Sequence, residues 1–556
     1  MNIFFLLQLA FASISTFASP PADLIFYNGN IVTLEKKAPQ VEAIAIYQDR
    51  IIALGENSKV LKLAGPSTRK IDLNKKLLVP GFIDSHVHLS GLGFAKAELS
   101  FETTSSEEEV VEIVRKKASE TPAEKWILGG QWNQNKWPSK AFPVSNLLSK
   151  ASHDHPVFLS RVDGHAAWVN ERALKIAGID QKTPDPDGGK ILRDADGKPT
   201  GILIDKAMGL VGKHIPDPTK TELRSAIEST FTEISSLGLT SVHNAGTNRD
   251  ELEVLRDLAR ENKLPFRVYA LLSGRDKKLV DEYFARGRET GLYGSFLTVR
   301  GVKMFADGAL GSRGARLLHP YHDDPNNRGL LLTEEEELYK LSLRALNAGF
   351  QIATHAIGDE ANRQVLNAYE RALKEYPTFT SPRFRIEHAQ IIDPKDIPRF
   401  ANLGVIPSMQ ATHATSDMPW VHARVGEDLA KKGAYAWRAL IKGGAKIANG
   451  SDAPVESIAP IPGFYAAVTR QDSKGNPPGG WHPEQRMTRE EALRSFTSNG
   501  AYAAFEENEK GSLAVGKLAD LVVLSQDILR VPAEKILATK ILFTVTAGKI
   551  VYERRE

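Results

Sequence analysis

Phe82-Ile-Asp-Ser-His-Val-His-Leu89 ends a short apolar run that begins at Leu78, and how this stretch is read decides the fold. The run reads as a strand, Leu78–Ser85, and on its continuation His86 and His88 stand two positions apart, so both imidazoles face the same side. Two neutral imidazoles directed to one place begin a site for Zn²⁺ or a similar ion, although His-x-His alone is a weak signal. Seven more apolar runs follow: Leu239–Asn244, Phe266–Leu272, Leu297–Phe305, Phe350–His355, Phe384–His388, Gly404–Met409 and Lys446–Gly450. Helical patterns lie between several of them, for example Glu222 to Leu237, Glu334 to Ala348 and Glu360 to Glu375. The alternation is the signature of βα units and a parallel sheet. Eight strands in this rhythm fit an α/β fold of the (β/α)₈ TIM-like barrel type better than an open sheet, with catalytic groups at the strand C-terminal ends.

The companions of the histidine pair sit at those ends. Thr354-His355-Ala356, Glu387-His388-Ala389 and Asn449-Gly450-Ser451-Asp452 each close a predicted strand. Lys303 lies in the apolar strand Leu297–Phe305, where an ammonium is costly to bury unless it is paired, for instance with Asp307, or modified. Five elements thus place His86, His88, Lys303, His355, His388 and Asp452 at equivalent positions, which points to a metal site.

Outward from the barrel, the first and second strands are separated by roughly 150 residues, far too many for one crossover helix. An inserted subdomain is therefore expected over about 96–223, containing Trp126, Trp132 and Trp137. Clustered tryptophans suit an insert that shapes substrate access, and equally suit the insert's own core. Strand-rich pieces flank the whole: Leu24 to Leu34, Val41 to Leu54, Ala519 to Leu524 and Ile541 to Tyr552. They suggest a small β-sandwich built from both termini. The expected division is a signal peptide over 1–18, the N-terminal part of the sandwich over 19–78, the barrel over 79–490 and the rest of the sandwich over 491–556. Ile3 to Ala18 is uncharged, mostly apolar and shorter than the roughly 20 residues of a membrane span. Thr16 and Ala18 fit a cleavage site, although no Lys or Arg precedes the run. The expectation is export, to the periplasm or beyond the cell, with an uncleaved anchor as the alternative.

Composition narrows the chemistry. Among 556 residues there is no cysteine, so disulfides, thiolate ligands and cysteine nucleophiles are excluded and any metal is held by nitrogen and oxygen. The 71 Lys and Arg nearly cancel the 68 Asp and Glu, which gives no electrostatic reason to expect nucleic acid or an anionic membrane as partner. Nothing specifies a homo-oligomer interface, and no Gly-x-Ser-x-Gly elbow is present for serine catalysis.

Val79-Pro-Gly-Phe-Ile-Asp-Ser-His-Val-His88, Val302-Lys-Met-Phe-Ala-Asp-Gly-Ala-Leu-Gly-Ser312, Thr354-His-Ala-Ile-Gly-Asp359, Arg385-Ile-Glu-His-Ala-Gln390 and Gly450-Ser-Asp-Ala-Pro454 together resemble the amidohydrolase superfamily of metal-dependent hydrolases. The nearest resemblance is to its branch of N-substituted formamide deformylase-like proteins. The resemblance implies that His86 and His88 bind the more buried of two metals, with zinc the default, and that His355 and His388 bind the second. It implies that Lys303 is carboxylated and bridges the pair, since a carbamate has anionic oxygens where an ammonium has no lone pair. Asp452 would contact the first metal, take a proton from the attacking water and pass it to the leaving nitrogen.

The implied activity is hydrolysis of C–N bonds in small amide, N-acyl or N-formyl compounds. The alternatives are an ester or lactone hydrolase on the same metals, or a non-catalytic binding protein. Around the site, Arg161 could clamp a substrate carboxylate and His165 could hydrogen-bond a carbonyl, with an ordinary salt bridge and a satisfied histidine as the plainer readings. His243 could face the pocket or cap a loop. Asp307 to Arg313 is glycine-rich but lacks the spacing of a Walker loop.

Overall fold

The computed structural model of the protein describes residues 20–376 and 381–555. The expected leader, residues 1–18, lies outside them. Eight parallel strands line the central sheet, with the short strand Glu289–Gly291 pairing antiparallel at one of them: β1 (Phe82–Val87), β2 (Leu239–Thr247), β3 (Arg267–Ser273), β4 (Leu297–Phe305), β5 (Gln351–Ala356), β6 (Arg385–His388), β7 (Ile406–Gln410) and β8 (Ala448–Gly450). Each pairs in parallel with the next in sequence order. Every residue of β1, β5, β6 and β7 is buried, as in parallel strands covered on both faces.

β8 returns to β1 through a short seam instead of a full ladder. The Asp452 N–H donates to the His86 carbonyl at 2.7 Å and the His88 N–H to the Ala453 carbonyl at 2.9 Å. Gly450 allows this approach, because a Cβ there would stand 2.4 Å from the His86 nitrogen. The result is a nearly closed TIM-like barrel.

One expected strand divides. Leu77–Pro80 belongs to a sheet of the terminal segments, and only Phe82–Val87 enters the barrel. The switch falls at Gly81, whose N–H donates to the Asp520 carbonyl at 3.0 Å. A Cβ there would lie 2.2 Å from Thr240 Oγ1, so only glycine lets the chain cross so near β2.

The terminal segments form a four-stranded and a six-stranded sheet, and the latter combines Leu521–Leu524, Ile541–Thr546 and Lys549–Glu553 with strands from before the barrel. Leu24, Phe26, Ile44 and Ile46 pack with Leu78, Leu521, Val523 and Val545 in one apolar cluster between the two sheets. Arg267, the first residue of β3, ties the barrel to this layer by forking onto Asp520 with Nε and Nη2 at 2.7 and 3.0 Å.

Between β1 and β2 the chain builds a separate six-stranded sheet running from Leu99–Ser100 to Pro199–Asp205. It has an apolar core of its own containing Trp132, Trp137 and Trp168. Helix Leu89–Ala97 leads into this segment and helix Lys220–Ser229 leads out. The two lie side by side, with Lys96 Nζ donating to the Ser229 carbonyl at 3.0 Å. The segment covers the C-terminal end of the barrel, where its residues Arg161, Asp163, His165 and Asp205 share a cavity with the strand ends. No described helix is long and apolar enough to cross a membrane.

Candidate metal centre

Asp84, His86 and His88 follow one another at two-residue intervals, so β1 turns all three to one side. Asp84 lies deepest. It accepts from the His86 N–H at 2.9 Å, the Ser451 N–H at 3.0 Å and the Ser451 hydroxyl at 2.6 Å. Burial pushes its carboxyl up to about 7. These bonds fasten the histidine strand to the segment that carries Asp452.

β6 holds His86 from behind. Arg385 forks onto Glu387, Nε to Oε1 at 2.6 Å and Nη2 to Oε2 at 2.9 Å, and Glu387 Oε2 meets His86 Nδ1 at 2.5 Å. All three side chains are fully buried. Burial alone would raise the Glu387 pKa, but Arg385 and His86 outweigh it and hold the carboxyl well below its usual range. Glu387 is therefore ionised, His86 donates from Nδ1, and the lone pair is left on Nε2. Burial pushes the His86 imidazole down to about 4, which keeps it neutral as a ligand must be.

His86 Nε2 faces Asp452 Oδ1 at 3.3 Å, and His88 Nε2 faces the same oxygen at 3.1 Å. On a regular strand His388 would point away from the side that Glu387 faces. Instead both His388 (φ 72°) and Asp452 (φ 59°) adopt left-handed backbone, which re-aims side chains at the strand ends. For residues other than glycine this conformation costs of order 1–3 kcal/mol and is tolerated where the surroundings over-determine it. The Asp452 carboxyl is pushed up by burial, yet His86 and His88 outweigh that and hold it well below the usual range.

Lys303 is also buried, with Nζ 3.2 Å from His86 Nε2 and 4.8 Å from the Phe305 ring centroid. It makes no ion pair with Asp307. That carboxylate instead accepts three backbone N–H groups, from Arg316, Ile357 and Gly358. Burial lowers the Lys303 amine to about 8. The His355 ring lies 4.5 Å from that of His388, and its Nε2 meets the Gly308 carbonyl at 3.3 Å. His388 Nδ1 meets Gln410 Oε1 at 2.8 Å. Burial keeps both imidazoles neutral, well below the ordinary histidine pKa.

The six residues expected as ligands thus lie together: His88, Lys303, His355, His388 and Asp452 line a cavity of about 960 Å³, and His86 is buried directly behind them, against Lys303 and Asp452. A second cavity of about 220 Å³ reaches the same spot from another side. The donor set is imidazole and carboxylate without thiolate, burial holds His86, His355 and His388 neutral, and the buried Lys303 amine has no carboxylate partner among the described residues. That combination fits a divalent cation of the zinc type.

The surrounding residues divide. Arg161 lines both cavities, held by Gln134 Oε1 at 2.8 Å, by Asn133 Oδ1 at 3.2 Å and by Asp163. His165 also lines both, its Nδ1 2.6 Å from Asp205 Oδ1 and its ring 4.9 Å from that of His355. Burial would lower the His165 pKa, but Asp205 outweighs it and the net shift is upward.

Trp132 and His243 are not brought to either cavity. Trp132 is fully buried among the aromatic residues of its own segment, and its indole N–H donates to the Leu159 carbonyl at 2.8 Å. His243 lies within the barrel, its ring 5.1 Å from that of Tyr269 and its Nδ1 3.0 Å from Arg385 Nη1. In both cases an inward position in a packed layer prevails over access to the mouth.

Sequence reading left several site residues unassigned: Asp84, the Arg385–Glu387 pair, Gln410 and His413. His413 sits on the short helix Ala411–Asp417 just after β7 and lines the smaller cavity. His355 and His388 close their predicted strands, whereas His413 lies beyond the predicted strand Gly404–Met409, on a helix, and carries no such signal.

The chain matches the amidohydrolase family over residues 69–552. It is 35% identical over 549 residues to the protein LONG AFTER FAR-RED 3 of Arabidopsis thaliana, covering 96% of this chain and 93% of that one. It is 28% identical over 547 residues to the N-substituted formamide deformylase of Arthrobacter pascens, covering 96% and 98%. Among solved structures, an uncharacterized metal-dependent hydrolase from Pyrococcus furiosus superposes with a TM-score of 0.71 at 31% identity, covering 91% of this chain and all of that one.

Proposed function

This chain belongs to the amidohydrolase family and is a metal-dependent hydrolase, and from that premise we propose that it cleaves carbon–nitrogen bonds in small amide, N-acyl or N-formyl compounds. The observation that carries the reading is the gathering of His88, Lys303, His355, His388 and Asp452 on one cavity, with His86 buried against Lys303 and Asp452 behind it. The likeness to a formamide deformylase over nearly the whole chain supports the choice of bond.

In this reading His86 and His88 would hold one zinc ion, and His355 and His388 would hold a second. Lys303, buried beside His86 with no carboxylate partner among the described residues, would take up carbon dioxide on its neutral amine, releasing a proton, and the carbamate would supply anionic oxygens to the cations. When bound, the cations acidify water and polarise the scissile carbonyl. Asp452 accepts the proton from the attacking water and delivers it to the leaving nitrogen as the C–N bond breaks, so that one water and one amide give one carboxylic acid and one amine. Arg161 and His165 hold the substrate from above, each fixed by a carboxylate of its own segment.

We also read residues 96–223 as an inserted subdomain that roofs the barrel, the terminal sheets as one sandwich domain, and the uncharged stretch before Pro20 as an export signal.

The test is turnover of metal-replete protein on N-formyl and N-acyl amines beside matched esters and lactones. Amide cleavage that chelation abolishes and Zn²⁺ restores is the expected result. Cleavage of esters or lactones alone would leave a metal hydrolase but overturn the choice of bond. Asp452→Asn is expected to lose about 10²–10⁴-fold in kcat.

A further inference from the structure

The larger cavity holds more charge than the metal centre uses, and most of that charge is already matched. Arg161 is engaged by Asp163, Gln134 and Asn133, so the clamp expected of it has most of its donors committed. His165 holds Asp205 Oδ1, and Asp205 Oδ2 is shut off from solvent where Gly308 and Gly314 pack on it. Lys277 faces Glu337 at 3.6 Å. Two cations on the cavity wall have no carboxylate partner among the described residues: Arg275, and Lys206, whose Nζ donates to the Leu332 carbonyl at 2.9 Å. Glu98 is the lining carboxylate without an ion pair among the described residues, and it stands at the end of helix Leu89–Ala97, where burial pushes its carboxyl up.

The position of Arg275 is built into the backbone. The Gly274 N–H donates to the Lys303 carbonyl at 2.9 Å. A Cβ on Gly274 would stand 2.2 Å from Met304 Sδ and 2.7 Å from that carbonyl oxygen, so glycine is what lets the loop after β3 press this closely on β4. The next residue is thereby set over the Phe305 ring, with the Arg275 guanidinium carbon 4.5 Å from the centroid. The same ring lies 4.8 Å from Lys303 Nζ, and its centroid is 5.5 Å from that of His355. One aromatic ring thus separates an unpaired guanidinium from the metal centre. A ring face attracts the cation without taking any of its N–H donors, so the fork that matches a carboxylate stays open.

We propose that Arg275 is a specificity-determining residue, which binds a carboxylate on the arm of the substrate that occupies the larger cavity, with Lys206 adding positive charge to the same wall. The preferred amides are then acids of the N-formyl or N-acyl amino acid type, in which the carboxylate stands a few bonds from the scissile nitrogen. A neutral arm leaves the guanidinium without a partner, whereas a carboxylate gives it charge-assisted hydrogen bonds. The proposal rests on the carbon–nitrogen hydrolase reading above and names the substrate class within it.

The test sets N-formyl- and N-acetyl-phenylalanine against N-formyl- and N-acetyl-phenethylamine, which lack only the carboxylate. Full-length, zinc-loaded wild type, Arg275→Gln and Arg275→Lys are run in parallel, with circular dichroism and zinc content checked for each. Wild type is expected to favour the acids by about 10–100-fold in kcat/KM, chiefly through KM. In Arg275→Gln that ratio is expected to fall toward one, and Arg275→Lys, which keeps the charge but not the fork, to recover part of it. A wild type without preference for the acids, or a preference that survives in Arg275→Gln, would overturn the proposal while leaving a carbon–nitrogen hydrolase. If wild type turns over none of the four, the choice of bond falls, and equilibrium dialysis of N-acetyl-phenylalanine then decides the carboxylate site by itself. Binding by wild type that weakens about tenfold or more in Arg275→Gln would uphold it, and no binding, or equal binding by both, would overturn it.

Discussion

The floor and the roof of the pocket hold their charged groups in different ways. On the floor, His86, Glu387 and Arg385 are all wholly buried and each is fixed by the next, with Arg385 also reaching the Ser85 carbonyl at 2.5 Å and Ser408 Oγ at 2.8 Å. On the roof, Arg161 and His165 are tied to Asp163 and Asp205 of their own segment and both border open cavity. The floor is therefore one unit with the barrel strands, whereas Arg161 and His165 make their polar pairs within the roof, which reaches the barrel loops through other residues, such as Gln131 Nε2 donating to the Pro454 carbonyl at 2.9 Å. A change in the floor should register in metal binding. A change in the roof should register in substrate binding and leave the metal alone.

The largest effect is expected from Glu387→Gln, which keeps the shape but removes the charge that orients His86. Metal affinity should fall about 10–100-fold, measured by competition with a chromophoric chelator. An unchanged affinity would separate the floor from the metal and break the contrast. Next comes Arg161→Lys, which keeps the charge and loses the fork. We expect a KM rise of roughly tenfold with metal content unchanged. A fall in Tm with KM unmoved would make Arg161 a structural pair only.

The smallest effect lies below the floor, at Arg267 and Asp520. Burial would raise the Asp520 carboxyl, but Arg267 outweighs it and the folded pKa is lowered. A lowered carboxylate stabilises the fold above its unfolded pKa, and that contribution is lost as pH falls through the folded value. Wild type should thus lose more Tm than Asp520→Asn between neutral pH and the acid range, with no difference between them in the slope above neutrality. Parallel curves throughout would remove the pair from acid stability.

Much of the barrel was legible because parallel strands buried on both faces read as unbroken apolar runs. Leu297–Phe305 is the same in the sequence reading and in the structure. The same property hid the break at Gly81, since an apolar run does not register that its hydrogen-bond partner has changed from one sheet to another. That His86, His88, Lys303, His355, His388 and Asp452 would gather was legible because they stand at strand ends, where a barrel collects its chemistry. Trp132 was not, because an aromatic cluster looks the same in composition whether it lines a cavity or fills a core, and only packing decides.

His243 sits at an equally suggestive place in the chain, but β2 continues to Thr247, which leaves it a layer below the mouth. His413 escaped for the opposite reason: it follows β7 by three residues, on a helix whose return toward Asp452 depends on tertiary geometry.

Helices Leu89–Ala97 and Lys220–Ser229 lie against each other where the chain leaves the barrel for the roof and where it comes back. With departure and return at neighbouring points, the intervening stretch can lengthen, shorten or be exchanged without pulling β1 from β2. Selection for a new substrate can then act on the roof while the machinery beneath is inherited unchanged.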